Sequence, residues 1–239
     1  MKTIVTLSAA LVAGSVLAMP AGFTTDYDGA LKRAAERNVP TLVLFTGSDW
    51  CGWCIKLENE VFSKPEFTSV ATNNFELVFC DFPSKTKLPE DLAKRNDELQ
   101  KKYGVRGYPT IVALDPKGEV LTTLSYQQGG AEKWLAYATK ELAMAPLVLK
   151  YFKPFESEFG DLRKSAVSAM KAMFKEQDPA KRDELLKTVA AEALVKGKAL
   201  RDKLAAAKLP AELASRKDAM LKVVERIITD LEKGPQPKK

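Results

Sequence analysis

Two cysteines separated by two residues, Cys51-Gly52-Trp53-Cys54, constrain this chain more than any other feature. A nearly continuous apolar run, Thr41-Leu42-Val43-Leu44-Phe45-Thr46, comes shortly before them, and apolar residues at helical spacing, Ile55, Leu57, Val61 and Phe62, follow. Such a run suits a strand buried on both faces of a sheet. The pair therefore stands at a strand-to-helix junction, joined to the strand by the loop Gly47-Ser48-Asp49-Trp50. Two intervening residues let the cysteines meet within one turn, so a small-ring disulfide can open and close. At a helix start, unpaired backbone N–H groups and the helix dipole favour a thiolate on the first cysteine. The thiolate is the nucleophile of disulfide exchange. The residues thus point to attack by Cys51 and resolution of the mixed disulfide by Cys54. The alternative is a structural disulfide without redox chemistry.

What the chain lacks narrows the chemistry further. It contains no histidine and three cysteines, the third being Cys80. Every catalytic scheme that needs an imidazole is excluded, and a four-ligand Cys/His zinc site cannot be built from one chain. No metal and no cofactor are expected. Cys80 lies in an apolar strand pattern and reads as a small core residue. The net charge of +6 is uneven. From Leu147 onward there are 21 basic and 14 acidic residues. No arginine-and-aromatic cluster accompanies this excess, so no nucleic-acid partner is expected.

The first 18 residues read as a signal peptide: Lys2 as the basic segment, an uncharged run from Thr3 to Leu17, and small residues before a cleavage point after Ala18 or Ala21. The run is shorter than the roughly 20 residues of a spanning helix, and an uncleaved N-terminal anchor is the alternative. Export implies an oxidising compartment, with the bacterial periplasm as the expected location and no membrane span in the mature form.

Residues 26–38 read as a helix, 41–46 as a strand, and residues from 54 as a helix interrupted at Ser63-Lys64-Pro65. A strand over 76–82, a loop over 83–89 and a helix over 91–103 follow. Strands over 110–114 and 119–125 flank the tight turn Asp115-Pro116-Lys117-Gly118. A helix over 132–144 closes the unit. The order is that of an α/β fold. After Pro146 strand signals stop. Three amphipathic helices are expected over 147–233, punctuated by Asp178-Pro179 and Leu209-Pro210, and then a flexible tail over 234–239. The apolar stripes read as intramolecular core, with a dimer interface as the alternative; the oligomeric state stays open.

Trp50-Cys51-Gly52-Trp53-Cys54 after the strand, and Gly107-Tyr108-Pro109-Thr110 before a later one, resemble the thioredoxin-like superfamily over about residues 23–144. The run from Phe45 to Cys54 resembles exported bacterial members more than cytosolic thioredoxin. The resemblance implies a thioredoxin-like fold followed by an all-α C-terminal region of about three helices. It implies a cis Pro109 facing the cysteines, with Tyr108 offering backbone groups to an extended substrate. Trp50 and Trp53 read as an apolar rim for substrate or as shields of the thiols.

Two departures stand out. Thioredoxins carry Gly-Pro between the cysteines, and a buried acid six residues before the first one. Here those places hold Gly52-Trp53 and Phe45. Asp49 and Glu58 are the candidates for the missing proton-transfer role, with solvated surface acids as the plain alternative. Strong oxidants of this fold usually carry a histidine between the cysteines. Its lack here leans the expectation towards a reductase or weak isomerase. It would act on protein thiols or disulfides in its compartment, with a redox partner protein. The competing expectation is a client-binding or chaperone-like protein whose C-terminal helices carry the main function.

Overall fold

The computed structural model describes residues 19–234. The expected signal segment, 1–18, and the tail residues 235–239 lie outside the described residues. The chain divides into two units, one up to Ala145 and one from Pro146.

The first unit is built on a five-stranded sheet. Its elements are β1 (Phe23–Thr24), α1 (Tyr27–Arg37), β2 (Thr41–Thr46), α2 (Gly52–Leu57), α3 (Pro65–Asn74), β3 (Glu76–Asp81), α4 (Glu90–Lys102), β4 (Thr110–Leu114) and β5 (Val120–Leu124). A π-helical turn, Glu58–Phe62, extends α2 before Pro65 starts α3. The strand order is β1-β3-β2-β4-β5. β2 is parallel to β3 and antiparallel to β4.

All six residues of β2 are buried, as the continuous apolar run requires. Its side chains alternate between two cores. Leu42 and Leu44 join Phe62, Phe67 and Trp134 on one face; Val43 and Phe45 join Tyr27, Cys80, Leu99 and Val112 on the other. Each large side chain taken wholly from water contributes roughly 1.5–3 kcal/mol, so both faces anchor the central strand. Local signals set the boundaries. Asp26 caps α1 by accepting from the Gly29 amide at 2.9 Å, and Asn38 ends it in the left-handed conformation.

The register explains what surrounds the Cys pair. Thr46 at the end of β2 lies beside Asp81 at the end of β3, and Phe45 lies opposite Thr110 at the start of β4. The loop after β2, the chain leaving β3 and the chain entering β4 therefore meet at one end of the sheet. Asp81, Phe82, Tyr108 and Pro109 are brought to the loop that carries Cys51.

The α/β architecture followed by helices matches the sequence expectation, with two differences. β1 is an added edge strand, parallel to β3; two residues are too few to display any periodicity. The helix expected over 132–144 instead runs as α5 (Gly130–Lys175), through Pro146 and Pro154. Proline reads as a stop because it lacks an N–H, but its φ is helical. Each proline removes one donor, and the good helix formers around it, such as Ala143, Ala145 and Leu147, continue the turn.

In the second unit, the later part of α5 packs with α6 (Pro179–Ala206) and α7 (Ala214–Lys233). Asp178 caps α6 by accepting from the Ala180 amide at 2.9 Å. Leu162, Leu200, Leu204, Val224 and Ile228 form one core cluster, and Ala166, Ala169, Met173, Ala190, Ala193 and Leu231 another. Gly197 sits where these helices approach closely: a Cβ there would lie 2.9 Å from Cγ1 of Ile228 and 3.4 Å from Cδ1 of Leu162. Replacing Gly197 with Leu should destabilise the protein by about 1–3 kcal/mol, despite the better helix propensity of leucine. Urea unfolding followed by circular dichroism checks this; an unchanged or higher midpoint would contradict the packing.

Candidate active site

Cys51 is the N-cap of α2. Its backbone is extended, so the chain turns from the loop into the helix at this residue. Its Sγ accepts the Cys54 amide hydrogen at 3.2 Å, and its carbonyl accepts the Cys54 and Ile55 amides at 3.0 Å each. The sulfur therefore occupies the place where a serine or aspartate would satisfy an orphan helix donor. Cys51 and Cys54 are disulfide-bonded, with Cα atoms 5.2 Å apart, and both are buried while Gly52 and Trp53 between them are exposed.

The loop that delivers Cys51 is itself held. The Cys51 amide donates to the Gly47 carbonyl at 2.9 Å. Asp81, buried at the end of β3, accepts from the Ser48 amide at 2.9 Å, the Ser48 hydroxyl at 2.6 Å and the Phe82 amide at 2.9 Å. Asn96 on α4 donates to the Asp81 carbonyl at 2.9 Å. Trp50 donates its indole N–H to the Phe82 carbonyl at 2.7 Å, and its ring meets Tyr108 edge-on at 5.8 Å. Tyr108 also packs on Phe82 at 5.2 Å. The Tyr108–Pro109 peptide is cis.

The two acids expected to serve proton transfer differ in their surroundings. Asp49 accepts from the Ser84 amide at 2.9 Å and the Lys85 amide at 2.7 Å. The Ser84 amide, foremost, holds its carboxyl below the usual carboxylate range. Asp49 thus pins the loop after β3 and holds a proton poorly. Glu58 follows Cys54 by one helical turn, its amide donating to the Cys54 carbonyl. Partial burial, and then the neighbouring Asp81 charge, push its carboxyl up. Of the two, Glu58 is the one whose surroundings favour the protonated form.

The place of the missing family acid is filled by an aromatic side chain. Phe45 is fully buried, stacked on Phe82 at 6.5 Å and edge-on to Tyr103 at 6.3 Å. Cys80 lies beside it in the same core; burial pushes its thiol up to about 12, against the opposing pull of Arg95. It is a protonated core residue, not a third redox thiol. The sequence reading did not single out Asp81, although a carboxylate closing a buried apolar strand was a visible signal. Nor did it single out Tyr126, which packs on Trp53 at 5.6 Å. Among the described residues no cluster of three or more Cys, Asp or Glu is placed to hold a metal ion. No helix among them is long and apolar enough to cross a membrane.

The chemistry open to this arrangement is the making and breaking of one S–S bond, and the chain is a thiol–disulfide oxidoreductase. Residues 27–139 match the thioredoxin-like domain. The chain is 33% identical over 118 residues to the disulfide bond reductase DsbH of Chlamydia pneumoniae, covering 49% of this chain and 71% of that protein. It is 33% identical over 89 residues to the thioredoxin-related protein DsbJ of the same organism, covering 37% of this chain and 26% of that one. The solved structure of DsbH oxidoreductase aligns with a TM-score of 0.49 at 29% identity, covering 58% of this chain and 96% of the other. This chain belongs to the thioredoxin-like family.

Restoring an acid at position 45 should harm this protein. The Phe45→Asp variant places a carboxyl among Phe82, Tyr103 and Cys80 with no designed donor, and should lose about 4 kcal/mol or more. Burial would raise that carboxyl above its unfolded value, so the added penalty falls on the ionised form. The loss should be smaller at pH 4 than at pH 7. Urea midpoints at the two pH values check this; a loss under about 1 kcal/mol at pH 7 would contradict the apolar assignment.

Proposed function

We propose that this protein is exported and exchanges disulfides with protein substrates, in the direction of reduction or weak isomerisation. The observation that carries the reading is the Cys51 sulfur in the N-cap position of α2, where helix donors and dipole favour negative charge. The Cys51 thiolate attacks one sulfur of a substrate disulfide. A new S–S bond forms to Cys51, the substrate bond breaks, and the departing sulfur leaves as a thiolate. Cys54 then loses its proton to Glu58 and attacks Cys51, releasing the second substrate thiol. The enzyme ends oxidised, with Cys51 bonded to Cys54, and a redox partner protein restores the dithiol.

In this reading Trp50, Trp53 and the Tyr108–Pro109 segment receive an extended stretch of substrate, Tyr108 through its backbone groups. Asp49 orders the loop. The reducing direction is supported by the lack of any histidine or other cation between the cysteines, and by likeness to a protein named as a disulfide bond reductase. Export rests on the N-terminal sequence pattern. We also propose residues 23–144 as the redox domain and 147–233 as a separate helical domain.

Insulin reduction with dithiothreitol as electron donor tests the reading. Cys51→Ser should lose turnover by at least about a hundredfold while keeping its fold, since no other thiolate is placed to attack. Cys54→Ser should accumulate a mixed disulfide with substrate, visible by non-reducing mass spectrometry. Glu58→Gln should slow release of that intermediate. Full turnover in Cys51→Ser would overturn the mechanism.

A second reading is favoured by the exposed Phe174, Val167 and Val195 on the helical unit, where a client could be held. It predicts that folded Cys51→Ser still suppresses aggregation of a reduced client; loss of suppression in Phe174→Ser would tie that activity to the helices.

A further inference from the structure

Trp53 stands between the two cysteines with 60% of its surface in water. An indole so exposed would ordinarily be free to change rotamer, yet here it is braced. Its ring lies 5.6 Å from that of Tyr126. Lys56 Nζ sits over both rings, 5.4 Å from the Trp53 centroid and 5.5 Å from that of Tyr126. Lys56 pairs with Glu60 at 3.8 Å, and the Tyr126 hydroxyl donates to Glu60 Oε2 at 2.6 Å. Three of these residues follow one another on a single helical face, while Tyr126 reaches in from the segment after β5. Each of the four side chains is held by at least two of the others.

The brace leaves the exposed part of the indole rigid and neutral. Lys56 and Glu60 cancel each other, so the surface beside the disulfide offers aromatic area without net charge. A rigid aromatic surface loses little freedom on binding, and such residues dominate interface energetics. The reach also fits. A substrate cysteine joined to Cys51 has its Cα roughly 5–6 Å away, and a neighbouring residue advances about 3.3 Å. Trp53 is two residues from Cys51, within range of the side chain adjoining the substrate cysteine. On the other side of the pair, Trp50 is already engaged with Phe82 and Tyr108.

We propose that the Trp53–Tyr126–Lys56–Glu60 cluster is the specificity-determining platform of the exchange reaction, selecting cysteines of extended protein segments that adjoin an aromatic residue. The platform rests on the reading that Cys51 attacks protein disulfides. Tyr126, Lys56 and Glu60 act through Trp53 as positioning residues.

The test uses the full reduced protein and peptides whose single cysteine carries thionitrobenzoate. Cys51 attacks the peptide sulfur, the coloured thiolate leaves, and Cys54 then releases the peptide thiol. Three peptides differ only at the residue beside cysteine: Trp, Ser or Glu. The second-order rate constant for the Trp peptide should exceed that for the Ser peptide by about fivefold or more, and the Glu peptide should be no faster than the Ser peptide. In Tyr126→Ala the Trp/Ser ratio should fall below about twofold, with Tyr126→Phe, which keeps the ring but loses the Glu60 bond, in between. An undiminished ratio in Tyr126→Ala, a ratio near one in the unaltered protein, or a preference for the Glu peptide would overturn the platform. Release no faster than with free glutathione for all three peptides would overturn the exchange reading itself, and the platform with it.

Discussion

The site depends on one contact: the hydrogen bond from the Cys54 amide to the Cys51 sulfur at the first turn of α2. A sulfur acting as helix cap is held where negative charge is favoured, and it is also held beside the sulfur it must exchange with. Both properties require the chain to turn from β2 into α2 at Cys51. The central strand supplies that constraint, because its two buried faces fix where β2 ends. Asp81 then ties Ser48 to the end of β3, so the loop between strand and helix cannot drift.

The family's buried acid would stand in the core under this turn. Here Phe45 takes that place, and the carboxylates near the pair lie further out. Asp81 lies at the sheet's end, where amides and a hydroxyl satisfy it, and Glu58 lies on the helix beyond Cys54. An aromatic stack of Phe45, Phe82 and Tyr108 replaces the acid's surroundings and carries on to Trp50. Packing thus positions the rim of the site, while partial burial, and then the nearby Asp81, push the Glu58 carboxyl up.

Much of this was legible in the sequence. Strands buried on both faces write themselves as apolar runs, and β2 and β3 stand within one residue of where the runs place them. The Cys pair and Tyr108–Pro109 carry their own spacing. Other features have no local signature. β1 is too short to show a period. Pro146 reads as the boundary after the helix expected over 132–144, because local rules count the lost donor and not the turns on either side. The choice between Asp49 and Glu58 depends on which one meets backbone amides, a matter of how the loop after β3 folds back. Tyr126 lies 66 residues from Glu60, and only the β4–β5 hairpin and its exit bring it to Trp53.

A capped sulfur with no cation between the cysteines should be a moderate thiolate, not an extreme one. That difference sets the redox direction, because stabilising the reduced form makes a disulfide a stronger oxidant. The reduction potential of the Cys51–Cys54 couple, measured by equilibration with glutathione or dithiothreitol buffers, reads it directly. A value of roughly −200 to −270 mV, in the range of glutaredoxins and thioredoxin, is expected. A value near roughly −120 mV, that of a strong oxidant, would contradict a reducing exchange centre.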